Sequence, residues 1–242
     1  MGKRDIVIGT ADGQAKAAVF GDKGGPGVIV YMDAFGPRPG LDSMAERLAA
    51  AGYTVLVPDL FYREAPYGPF DAATAFDDPE KRAQIMHLMK VTTQDMSVRD
   101  TKAFLDTLAS EGADGPVGVV GYCMGGARAL NAAAAYPDRI AAAASFHGGG
   151  LASDAPDSPH LRAAGIRARV YVASAGVDAS FPPEQSARLA QALREAEVDH
   201  IIENYVGKLH GWAVPDHKVF DAEGAERHWT RLLALFDETL KA

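Results

Sequence analysis

The chain predicts an α/β fold, a mostly parallel central sheet with helices on both faces, and three observations carry that expectation. Short apolar runs alternate with longer amphipathic stretches through most of the sequence, the signature of βαβ units. Several of those runs are apolar without alternation, as strands covered on both faces must be. The length, 242 residues, suits one large α/β domain over residues 1–242 better than two small ones.

The first element in order is a hairpin. Ile6-Val7-Ile8 and Ala17-Ala18-Val19-Phe20 flank a turn expected at Asp12-Gly13, a strong short-range hairpin signal. Strand runs follow at residues 28–31, 54–57, 117–120, 142–146, 170–173 and 201–202. Helical periodicity marks residues 41–51, 80–89, 96–108, 127–135, 183–195 and 226–240. Gly52 and Gly112 stand where helices stop. Residues 62–76, rich in Pro, aromatics and Asp, form the one long irregular stretch, a pattern shared with lids and binding loops.

Composition narrows the function classes. A net charge of -8 argues against a nucleic-acid partner, which needs a basic face. The single cysteine excludes an intrachain disulfide and favours a reducing compartment. Residues 1–8 lack the apolar stretch of a secretory signal, and no run approaches the roughly 18 apolar residues of a membrane span. The expectation is a cytoplasmic monomer or small homo-oligomer with a small-molecule substrate and no membrane partner. No His or Cys pair has metal-ligand spacing, so neither metal nor cofactor is expected.

The chemistry concentrates at residue 117 onward. A buried-strand pattern runs into Gly121-Tyr122-Cys123-Met124-Gly125-Gly126 and then into a helix of small residues. This is the G-x-S-x-G nucleophile elbow with Cys in place of Ser. The nucleophile of such an elbow sits on a sharp strand-to-helix turn, so residues two positions away must lack bulk, and Gly121 and Gly125 do. A helix N-terminus favours the thiolate of Cys123, and the Met124 N–H points at a developing oxyanion.

An elbow predicts its partners in the chain order nucleophile, acid, His, each beyond a strand end. Asp178 follows the run at 170–173, and His210 follows the run at 201–202 within Leu209-His210-Gly211-Trp212. Of the seven histidines, only His210 stands after the acid in a Gly-flanked loop. His87, His217 and His228 read as solvated, and His200 as a strand-edge residue. His160 falls in a loop, and His147 closes the run at 142–146 as a candidate to line the site.

These residues carry a resemblance. The chain is similar to the dienelactone hydrolase family, the carboxymethylenebutenolidase-like cysteine hydrolases of the α/β-hydrolase fold. The match covers Asp33-Ala34-Phe35-Gly36, Val57-Pro58-Asp59-Leu60-Phe61-Tyr62-Arg63, the elbow, Asp178 and His210-Gly211-Trp212. It implies a sheet of about eight strands, Cys123 as nucleophile, His210 as base and Asp178 as orienting acid. It also implies an oxyanion hole built from the backbone N–H groups of Met124 and Ala34. Two departures stand out. Dienelactone hydrolases proper have a Glu that contacts the nucleophilic sulfur where this chain has the shorter Asp33. Of the family's carboxylate-reading Arg pair, one position matches Arg82 and the other is Val214. Losing one arm of such a clamp removes roughly 1.5–3 kcal/mol of charge-assisted contact. Arg63, Arg82, Trp212 and His147 are the substrate-binding candidates.

The expected activity is hydrolysis of a small ester or lactone through a thioester acyl-enzyme. A ligand-binding scaffold that has lost catalysis and a redox-sensing thiol are the readings of other classes.

Overall fold

An antiparallel hairpin opens the sheet. In the computed structural model, which describes residues 2–241, β1 (Arg4–Thr10) pairs with β2 (Gly13–Phe20) from Arg4↔Val19 to Thr10↔Gly13. The turn lies at Ala11-Asp12, one residue earlier than expected. Thr10 Oγ1 accepts from the Asp12 N–H at 3.3 Å and donates to the Gly13 carbonyl at 3.0 Å, so a side chain closes the loop and Gly13 joins the strand.

Beyond the hairpin the sheet becomes parallel. β2 pairs antiparallel with β4 (Thr54–Pro58), and every later pairing is parallel. The remaining strands are β3 (Gly27–Tyr31), β5 (Val117–Tyr122), β6 (Ile140–Phe146), β7 (Arg169–Val177) and β8 (His200–Leu209). The eight-stranded order is β1-β2-β4-β3-β5-β6-β7-β8. β3, β4 and β5 are buried throughout, which accounts for their unbroken apolar runs.

Helices cover both faces. They are α1 (Pro39–Ala50), α2 (Pro79–Val91), α3 (Gln94–Ser110), α4 (Met124–Ala135), α5 (Pro183–Glu195) and α6 (Ala222–Leu240). Neighbouring residues at the start of β5 show the two layers, because adjacent side chains on a strand point to opposite faces. Val117 lies beside Gly27, over which Leu108 of α3 packs. Gly118 instead faces α6, and a Cβ there would come 2.7 Å from the Phe236 ring. α1 joins α6 on that side, with Arg47 stacked on Trp229 at 4.7 Å and paired with Glu226.

The irregular stretch after β4 packs through its own aromatics, Phe61 against Tyr67 and Tyr67 against Phe70. It borders a cavity of about 790 Å³ beside the hairpin, and does not reach the cavity that holds Cys123. Among the described residues, no helix is long and apolar enough to cross a membrane.

Candidate active site

Strand β5 ends at Tyr122 and α4 begins at Met124, so Cys123 alone makes the turn between them. Its φ of 55° and ψ of -120° lie where a side-chain-bearing residue is strained, a conformation that costs of order 1–3 kcal/mol. The surrounding packing enforces it. A Cβ on Gly121 would stand 1.9 Å from the Gly125 carbonyl oxygen, and one on Gly125 would stand 2.3 Å from that of Tyr31. The start of α4 is thereby pressed onto the end of β3. The Cys123 N–H donates to the Phe146 carbonyl and to His147 Nδ1, each at 3.2 Å.

Asp178 and His210 arrive from the neighbouring strands. Asp178 follows β7 directly, and His210 follows β8. His210 Nδ1 donates to Asp178 Oδ2 at 2.7 Å. Burial works against a charge on His210, but the Cys123 sulfur and the Asp178 carboxylate overcome it and lift its pKa to about 10. Burial likewise opposes the charge on Asp178, and bonds from His210 and Ser180 more than offset it, holding the carboxyl below its ordinary value. Ser180 was not anticipated. Its N–H and hydroxyl both donate to Asp178 Oδ1, at 2.8 and 2.5 Å. The available signal was the Asp-x-Ser spacing of an Asx turn.

Two backbone N–H groups near the elbow are without partners. Neither Met124 nor Ala34 donates its N–H to any acceptor among the described residues. Met124 is the first residue of α4, where an N–H has no partner within the helix. Ala34 is left free because the loop's other donors turn to Asp33: the Phe35 N–H binds its Oδ1 at 3.0 Å and the Gly36 N–H its carbonyl at 3.4 Å.

Cys123, Asp178 and His210 share a cavity of about 630 Å³, with Met124, Arg128 and Ser180 in its walls. The other sequence candidates lie elsewhere. Asp33 is buried in a two-pronged ion pair with Arg38, at 2.6 and 2.9 Å, and Arg38 also binds Asp216. Its carboxylate therefore shapes the Ala34 loop and is committed to Arg38, where a contact with the sulfur was considered. Arg63 is held by Asp12 and Asp100, and Arg82 is exposed on α2; neither lines this cavity. Trp212 is fully buried and stacked on Tyr205.

His147 sits beneath the elbow, 1% exposed, in edge contact with the rings of His210 and Trp212. Burial holds its pKa well below 6.5, so it is neutral and accepts through Nδ1. His228 and His217, expected in solvent, are not there. His228 is wholly buried on α6 and bonds the Tyr122 hydroxyl at 2.8 Å. His217 packs edge-on against Phe35, its Nδ1 buried without a partner. Both were misplaced because their charged sequence neighbours hid an inward-facing position.

The comparisons with known proteins bear on the family and the fold. The model of the dienelactone hydrolase family matches residues 15–240. The carboxymethylenebutenolidase of Pseudomonas sp. is 35% identical over 111 residues, covering 46% of this chain and 45% of that protein. The carboxymethylenebutenolidase homolog of Mus musculus is 30% identical over 190 residues, covering 78% of this chain and 71% of that protein. A solved dienelactone hydrolase-like promiscuous phosphotriesterase from metagenomic libraries shares the fold with a TM-score of 0.80 at 24% identity, over 98% of both chains. An eight-stranded sheet in this order, a cysteine at a strained elbow and a family match over nearly the whole sequence lead to one assignment: the chain belongs to the dienelactone hydrolase family and has its α/β-hydrolase fold.

Proposed function

We propose that the protein hydrolyses small esters or lactones through a Cys123–His210–Asp178 triad and a thioester acyl-enzyme. The observation that carries the proposal is the His210–Asp178 bond of 2.7 Å beside a cysteine held at φ 55° in the same cavity.

The steps follow from the positions. The Cys123 thiolate attacks the ester carbonyl carbon, a C–S bond forms, and the negative charge on oxygen meets the N–H groups of Met124 and Ala34. The carbonyl re-forms, the C–O bond to the leaving group breaks, and His210 gives its proton to the departing alkoxide. In a lactone that alkoxide stays tethered to the acyl chain. Water then attacks the thioester and gives a proton to His210. The C–S bond breaks, leaving the thiolate beside protonated His210 and a carboxylic acid that gives its proton to solvent. Asp178 fixes the ring and offsets its charge at each stage. Because the one thiol must stay free, the proposal includes a reducing compartment such as the cytoplasm.

The test is hydrolysis of a panel of aryl esters and small lactones, dienelactone included, by wild type and by Cys123→Ala. Turnover by the wild type, lowered at least about a thousandfold in the variant, supports the triad. A folded wild type that alkylates rapidly at Cys123 yet hydrolyses nothing on the panel would sink the hydrolase reading and favour a ligand-binding or redox thiol.

A further inference from the structure

Arg128 lies five residues beyond Cys123 on α4, about 7.5 Å further along the axis. Helical side chains lean back toward the N-terminus, and Arg128 lines the same cavity as Cys123 and His210. It is only 6% exposed. Nη2 donates to the Thr92 carbonyl at 2.5 Å, and Nε is sealed from water with no partner. No carboxylate comes within ion-pair distance of Arg128 among the described residues; Asp157 and the Cys123 sulfur act on it only at longer range.

That is an unusual state for a guanidinium, which keeps its charge and offers five donors. Burying a charge is unfavourable unless it is paired. Arg38, also deeply buried, meets this requirement with two carboxylates, Asp33 and Asp216. On α4 itself the remaining buried residues are Gly, Ala, Leu and Met, apart from Asn131. An aliphatic side chain would suit packing at 128. Gln94, on the same cavity wall, also buries an Oε1 with no partner.

We propose that Arg128 is a specificity-determining residue that pairs with a carboxylate on the acyl part of the substrate. The assignment rests on the hydrolase reading. The leaving group must depart beside His210, which protonates it, on the wall formed with Ser180 and Val177. The acyl group, bound to the Cys123 sulfur, stays in the cavity that Ala127 and Arg128 also line, where it can reach the guanidinium. A short chain ending in a carboxylate supplies the close ion pair that the protein does not.

Two esters of equal length separate charge from shape: 4-nitrophenyl hemiglutarate, whose acyl chain ends in a carboxylate, and 4-nitrophenyl valerate, whose chain ends in a methyl group. The wild type is expected to prefer the hemiglutarate. Arg128→Met is expected to collapse the ratio of the two kcat/KM values by about 10- to 150-fold, the range for a lost charged hydrogen bond, chiefly through KM. Arg128→Lys, which keeps the charge, should restore part of that ratio. A wild type without preference, or an Arg128→Met that slows both esters equally, overturns the proposal in favour of a structural role or a charge acting on the sulfur.

Protection of Cys123 from iodoacetamide gives a readout free of turnover. Glutarate should slow alkylation in the wild type and not in Arg128→Met. Protection without hydrolysis keeps the Arg128 site and sinks the hydrolase reading. Hydrolysis with neither preference nor protection does the reverse.

Discussion

Burial disfavours the charge on His210, so its pKa near 10 depends on the sulfur and the carboxylate beside it. Cys123→Ala removes the first of those supports, and the His210 pKa is expected to fall clearly below 10, read from the pH dependence of its imidazole NMR signals. An unmoved value would mean that Asp178 alone holds the proton. Ser180→Ala removes the hydroxyl bond to Asp178 Oδ1 and leaves the backbone N–H bond in place. A threefold to tenfold loss of kcat/KM on an aryl ester is expected, the low end for a hydrogen bond to a charged group. Unchanged kinetics would reduce Ser180 to a turn residue. At this scale the meeting of Cys123, Asp178 and His210 in one cavity was readable because each follows a strand and the chain order is constrained. Ser180 and Arg128 were not, since their roles depend on which side chains they face. Asp33 was readable as a polar strand end, while its partner Arg38 emerged only when the loop was folded.

Among elements, the elbow is the most tightly specified. Gly121→Ala drives a methyl group into the Gly125 carbonyl, backbone against backbone, where no rotamer change can relieve it. Urea unfolding is expected to show a loss of about 3 kcal/mol or more, near the upper end for overpacking. A loss under about 1 kcal/mol would show that the elbow can relax. Helix bounds came through well in the periodic stretches: α5 matches residues 183–195. Starts were read late for α4 and α6, because Met124-Gly125-Gly126 lacks helical character and because Asp221, capping the Gly224 N–H at 2.7 Å, precedes the periodic run. β8 was read as two residues and runs for ten, because Ile201, Val206 and Leu209 stand exposed on an edge strand among Glu203, Asn204 and Lys208. An edge strand has no second buried face to keep its sequence apolar.

For the molecule as a whole, buried histidines couple stability to pH. Burial pulls His228 down to about 3, while the unfolded chain binds that proton near 6.5. Between those values the unfolded state holds more protons, so stability is fully present above about 6.5 and declines toward 3, by about 1.4 kcal/mol per pH unit for one such site. His147 adds in the same direction. The urea midpoint is therefore expected to drop steadily as pH falls from 6.5 to 4, and His228→Gln should make that decline shallower. Parallel declines would assign the effect to other groups. The fold class and the parallel core were legible because unbroken apolar strands have one architectural meaning. The buried histidines were not, because a helix shows its inward face only when its neighbours are known.

Under the proposed mechanism, the strand order also dictates when the protein becomes reactive. From β5 outward the sheet grows in sequence order, β6, β7, β8, one neighbour at a time. The thiol turn is made with β5, the carboxylate arrives with β7, and the imidazole arrives with β8, the outermost strand. A chain emerging N-terminus first thus carries its sulfur long before the base that activates it. Hydrolysis, once measured, would report the docking of the final strand, and a nascent or frayed molecule would be silent rather than indiscriminate.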